Sequence, residues 1–160
     1  MSEATIRAAL DTIVSSVTDI GTVHDFERWS NEWNDFLTLF KTEIDSTDEI
    51  RGWEITYGGY TPSHPSIGGA SWREFGMTGR VKAHTFYIRG YLGVYDSTES
   101  EKTAAALANL VCDTLDADTT IRGSTFYYAE PANLLFESRL FGGVLCHFAQ
   151  ITQVVVEVSQ

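Results

Sequence analysis

The sequence predicts an α+β fold, with a largely antiparallel β-sheet and helices packed on one face. Three observations predict it. Three segments carry apolar residues at three- and four-residue steps, the mark of amphipathic helices. From residue 50 the period changes to two, the mark of strands. The strand-like segments are joined mostly by turns rather than by helices, which argues against parallel βαβ units. The chain has 160 residues, 43% of them hydrophobic. That is the usual size of a single domain and enough to enclose a core.

Residues 3–20 read as the first helix. Ile6, Ala9, Leu10, Ile13, Val14, Val17 and Ile20 form one apolar stripe, with Gly21 placed for a left-handed stop. A short extended piece, 22–26, follows. Trp29, Trp33, Phe36, Leu37 and Phe40 mark a second helix whose stripe is aromatic. Residues 41–49 read as a polar, acidic connector. Trp53, Ile55 and Tyr57 then alternate with polar neighbours as in a strand. Residues 58–71 hold four glycines and two prolines. They are expected to form a projecting loop, since this composition suits neither a helix nor a central strand.

Residues 81–95 read as one long strand. Fifteen residues would reach about 50 Å at roughly 3.3 Å each. One face carries Phe86, Ile88, Leu92 and Val94; the other carries Val81, Tyr87, Arg89, Tyr91 and Tyr95. A sheet with one apolar and one tyrosine-rich face has two surfaces to cover, and the strand should overhang a domain of this size. A third helix follows, with Thr98 and Glu101 as a capping box and Ala104, Leu107, Ala108, Val111 and Leu115 as its stripe. Strands are expected over 124–128, 134–141 and 144–158. In the last, Val144, Cys146, Phe148, Val154, Val156 and Val158 share one face.

The composition narrows the function. The net charge is −11, and residues 1–50 alone contribute −8. Such a chain is poorly suited to grip a nucleic-acid backbone, which needs clustered Lys and Arg. No apolar run reaches the roughly 18 residues that span a bilayer. Met1-Ser2-Glu3 lacks the basic start of a signal peptide, so a secreted or membrane protein is not expected. Cys112 and Cys146 have no paired spacing and read as reduced, buried thiols. Phosphate-loop, dinucleotide, nucleophile-elbow and HExxH motifs are all missing from the sequence. His24, His64, His84 and His147 are scattered, with no metal-ligand spacing among them. The expectation is a non-enzymatic protein with no cofactor and no metal. Tyr and Arg are enriched at protein interfaces, so Tyr87, Arg89, Tyr91 and Tyr95 are candidates for a subunit interface. On that reading Tyr91→Asp weakens assembly and leaves the chain folded.

The order of elements resembles the tail terminator and tail-completion (neck) proteins of long-tailed bacteriophages, over roughly residues 3–158. The resemblance lies in the opening helix with Ile6-Arg7-Ala8-Ala9-Leu10, the segment Gly21–Asp25, the helix Trp29–Phe40 and the strand Ile50–Ile55. It continues through the long strand Thr85–Tyr95, the helix ending Leu115–Asp118 and the closing strand Gly143–Val158. It implies a structural virion protein that assembles in the host cytoplasm and forms a ring, usually of six copies, at the head-proximal end of the tail. Its partners would be further copies of itself, the tail tube protein and head–tail connector proteins. DNA would pass through the lumen without sequence-specific binding. Tyr60, His64, Ile67 and Trp72 would contact an adjacent ring, and Asp45, Asp48 and Glu49 would line an acidic lumen. The alternatives are a head-completion or connector protein of the same neck, and a small α+β module that binds a ligand or partner.

Overall fold

The computed structural model describes residues 3–44, 47–63, 66–67, 70–71, 80–95, 99–118, 126–128, 130–141 and 143–159. The fold is the α+β arrangement expected. Three long strands form its centre: β3 (Thr47–Ser63), β6 (Arg80–Gly93) and β9 (Val144–Ser159). They run antiparallel side by side. On the outer side of β3 lie β2 (Lys41–Ile44), antiparallel, and β1 (Thr22–His24), parallel. On the outer side of β9 lie β8 (Asn133–Phe141) and β7 (Phe126–Tyr128), both antiparallel. These seven strands make one sheet, and β4 (Ser66–Ile67) pairs separately with β5 (Ala70–Ser71).

Residues directly opposite each other in an antiparallel ladder share a face. The register therefore builds rows across the centre: Trp53–Gly90–Ala149, Ile55–Ile88–Ile151 and Tyr57–Phe86–Gln153. On these rows sit the two long helices, α1 (Glu3–Ser15) and α3 (Ser100–Ala117). Ile6, Leu10, Ile13 and Val14 from α1 meet Ala104, Leu107, Ala108, Val111 and Leu115 from α3 in one buried cluster. The helical stripes read from the sequence are thus the ones buried. Regular α1 stops at Ser15, earlier than the expected 20. Tighter bonds from Ser16 and Val17 to Ile13 and Val14 then carry Val17 and Ile20 into the core. Gly21 ends this turn at φ +86°, and a Cβ there would strike the Arg51 carbonyl.

The opposite face has its own smaller core. Phe40, Ile50, Phe141 and Cys146 are buried there, with Phe36, Leu37 and Tyr91 packed against them. The short helix α2 (Trp33–Thr38) covers this end. It is shorter than the expected 29–40, and Trp29 lies outside it, 77% exposed, stacked on Phe36. Both thiols are free and buried, and desolvation pushes each up to about 11, which makes them poor nucleophiles.

Three further expectations are corrected. Within 41–49, the described residues 41–44 and 47–49 are paired antiparallel strands, with Thr42 opposite Glu49 and Glu43 opposite Asp48. The segment from Gly58 begins as strand: β3 bulges between Tyr57 and Gly59 and then stays paired to β6 as far as Ser63 opposite Val81. Among the described residues no strand pairs with the outer side of β3 there, so Pro62 stands at an edge, where proline is admitted. Helix α3 starts at Ser100 with Glu99 at the cap, at φ 52° and with no side-chain cap bond; Thr98 lies outside the described residues. In β9 the expected row with Cys146, Phe148, Val154 and Val156 does share one face, and the alternate with Ala149, Ile151, Gln153 and Val155 lies beneath the helices.

The Trp53 row tests the register directly. A Cβ on Gly90 would come within 2.7 Å of the Trp53 indole, which is fully buried. Gly90→Ala is expected to lower the unfolding free energy by about 1–3 kcal/mol, the usual cost of overpacking. Urea denaturation checks this, and an unchanged midpoint would contradict the close approach.

Candidate functional site

The second face of the central strands carries the tyrosines and Arg89, and three environments divide it. At the β2 end, Tyr91 is drawn into the aromatic cluster. Its ring stacks on Phe141 at 3.9 Å between centroids and meets Phe40 edge-on at 5.2 Å. Arg139 lies over Phe148 at 4.0 Å, a cation–π contact at the margin of the same cluster.

The middle of the face is polar. Glu54 is 3% exposed, and its carboxylate accepts from the Tyr91 hydroxyl at 3.2 Å and from the Arg28 backbone N–H at 3.3 Å. The Arg89 guanidinium stands 3.7 Å from Glu54 and 3.5 Å from Glu27, and donates to Gln150 at 3.3 Å. These contacts fasten the segment around Glu27 and Arg28 across the sheet. Burial raises the Glu54 carboxyl above its ordinary 4.5, against the lowering effect of its hydrogen bonds and of Arg89. The Tyr91 hydroxyl is raised as well, first by burial and then by the Glu54 charge.

Beyond this network the face opens. Tyr87 is half-buried, with Arg89 5.7 Å from its ring centroid, and a Cβ on Gly58 would meet that ring at 2.6 Å. Tyr95 is 39% exposed at the other end of β6. The four interface candidates therefore do not form one patch: Tyr91 is packed within the chain, Arg89 is held by carboxylates, and Tyr87 and Tyr95 lie at separated positions.

On the helical face, beyond Phe86, stands a group that the sequence did not announce. His84 is buried, with Tyr57 Oη 3.0 Å from its Nδ1 and Glu157 Oε2 3.0 Å from its Nε2. Three adjacent strands supply the three residues. His84 and Glu157 are 73 positions apart, so only the β6–β9 register could have joined them. Tyr60 tilts over the imidazole and is 55% exposed, with Lys82 5.1 Å from its ring centroid. His147 is likewise buried, 3.0 Å from Ser100 Oγ.

The remaining candidates are placed as follows. Ile67 is in β4, opposite Ala70. Asp48 and Glu49 are on β3 in the hairpin with β2, and Glu49 is ion-paired to Arg51 at 3.2 Å. His64, Trp72 and Asp45 lie outside the described residues. A cleft of about 400 Å³ lies between α1 and α3, lined by Ile13, Ser16, Thr114 and Asp118. None of the candidate residues lines it.

The edges of the sheet are the last part of the site. Arg7 of α1 donates to the Ile55 carbonyl at 2.9 Å and to that of Asp25 at 2.8 Å, closing the β1 end of the β3 edge. Past it, among the described residues, no strand pairs with the outer side of β3, nor with the outer side of β8. The β8–β9 hairpin ends in exposed apolar residues: Leu140 at 76%, Leu145 at 48% and Val144 at 37%. Sequence reasoning missed this end, although Leu140-Phe141-Gly142-Gly143-Val144-Leu145 reads as an apolar turn.

No family model matches the chain and no curated protein matches it. No helix among the described residues is long and apolar enough to cross a membrane.

Two outcomes follow. Tyr91→Asp places a charge among Phe40, Phe141 and Phe148, so it is expected to cost on the order of 3 kcal/mol of stability. It would not be a clean probe of assembly, contrary to the expectation from sequence; urea denaturation at low protein concentration reads the loss. For Glu54, the raised folded-state pKa means that the folded chain holds this proton more tightly than the unfolded chain. Its contribution is full below about 4.5 and is lost as the pH rises through the folded value. The stability of the wild type relative to Glu54→Gln should therefore fall from pH 4 to pH 7. A difference that grows over this range would contradict the burial of the carboxylate.

Proposed function

We propose that the chain is a structural virion protein of a tailed bacteriophage: a tail terminator whose copies form a six-membered ring at the head-proximal end of the tail. The ring ends growth of the tube and joins the tail to the head connector, and DNA passes through its lumen. The observation that supports this best is the set of three adjacent strands of 17, 14 and 16 residues. The apolar core beneath the helices includes Phe86 and Val155, while the strands continue to Ser63, Arg80 and Ser159. A small domain has little use for such overhang unless neighbours cover it, and head-to-tail neighbours that close by rotation make a ring. The order of elements resembles that of the neck proteins. The acidic excess suits a lumen that repels DNA rather than holding it. In this arrangement Asp48 and Glu49, on the β2–β3 hairpin, line the lumen.

Gold-labelled antibody against the chain, applied to purified particles, tests the reading. Label at one end of the tail, next to the head, is expected. Label on tailless heads alone would favour the head-completion alternative. Label along the tube, or none on particles, would sink the neck assignment.

A further inference from the structure

The outer edges of β3 and β8 differ in how well they are guarded. The β3 edge carries a bulge at Gly58 and a proline at 62, both of which discourage pairing with another chain. Strand β8, Asn-Leu-Leu-Phe-Glu-Ser-Arg-Leu-Phe, has neither glycine nor proline and keeps an unbroken register with β9 over all nine residues. Leu135 and Leu140 are exposed, at 45% and 76%. Its two charges, Glu137 and Arg139, share a face, bond to each other and cancel. Within a chain of net charge −11, β8 is a neutral, apolar edge that no strand among the described residues guards.

We propose that β8 is where a second copy of this chain adds to the sheet, the two β8 strands running antiparallel about a two-fold axis through Ser138. That register sets residue 137 opposite 139, 136 opposite 140 and 135 opposite 141. Glu137 of each copy then faces Arg139 of the other, Leu140 faces Phe136, and Leu135 faces Phe141. Centring the pair on Glu137 would set two carboxylates face to face, and centring it on Arg139 would oppose two guanidiniums; only Ser138 matches opposite charges. Opposite charges directly across a strand pair stabilise it and like charges destabilise it. The contact is isologous and closes at two copies, so it does not depend on the proposed ring, which needs a head-to-tail contact.

The test is the solution mass of the full chain over a range of concentrations, by sedimentation. A species of twice the 17.8 kDa chain mass is expected for the wild type. Glu137→Arg and Arg139→Glu should each weaken the dimer by about tenfold or more, because each opposes like charges at both crossings. The double variant, E137R with R139E, should restore the dimer, since the charges exchange places in this register. Thermal unfolding by circular dichroism verifies that the single variants stay folded. A wild type monomeric at every concentration overturns the proposal, as do single variants that dimerise like the wild type or a double variant as weak as the singles. A six-fold species unchanged by the single variants would overturn this contact and leave the ring standing.

Discussion

The indole of Trp53 lies against the backbone of Gly90, and much of the architecture depends on that approach. Trp53, Gly90 and Ala149 stand in one row across β3, β6 and β9: a large ring, no side chain and a small one. The row leaves room for the indole beneath the helices. A shift of one residue would turn Ile55, Ile88 and Ile151 out of the core, because side chains alternate with a period of two. A shift of two would drive Trp53 against Ile88 or Leu92. The correct register fixes both faces together. It places Tyr91 beside the Phe40 cluster, Glu54 beside Arg89, and His84 between Tyr57 and Glu157.

A sheet whose long helices sit on one side must satisfy its other side by different means. Here the means change along the strands. Aromatic rings close the end near β2, where α2 adds Phe36 and Leu37. Charge and hydrogen bonds close the middle, where Glu54 loses water and gains Arg89, Tyr91 and the Arg28 N–H. Breaking such a network by removing one partner costs more than the network contributes, because a buried charge is left uncompensated. The segment around Glu27 and Arg28 is therefore held less by apolar contact than by the need of Glu54 for donors, which is consistent with the exposure of Phe26 and Trp29.

This division explains what the sequence could reveal. The stripes of α1 and α3 were legible, since a period of 3.6 over thirteen and eighteen residues is a strong signal. The long β6 strand and its two unlike faces were legible for the same reason. The pairing of β2 with β3 was not: Glu43, Asp48 and Glu49 gave the segment the look of a connector, because an edge strand admits charged residues. Gly58–Ser63 was hidden by Gly59 and Pro62, residues that a central strand rejects but an edge strand admits. In β9 the valine row was legible as one face, but both alternates are apolar enough to be buried, so the pattern could not say which lies beneath the helices. Trp29 misled by spacing alone, for helical spacing places a residue on a stripe without ensuring that a helix forms. The polar clusters were beyond reach, because their members meet only through the register.

The charge distribution joins fold to assembly. Twice as many acidic as basic residues, 22 against 11, make any two copies repel at long range. Contacts between copies must then use surfaces where charge is absent or internally cancelled. The helical face is occupied by α1 and α3, and the aromatic end of the second face by α2. Among the described residues, what remains are the open part of that face, the β3 edge, and β8 with the apolar tip of its hairpin. The first is mixed, with Tyr87 and Thr85 of β6 opposite Thr152 and Val154 of β9, and the second is blunted by a bulge and a proline. The backbone groups along the outer side of β8 have no described strand partner, and Leu135 and Leu140 flank them. Such an edge is a liability in a monomer. In the proposed pairing of copies, it is the place where association costs the least electrostatic work.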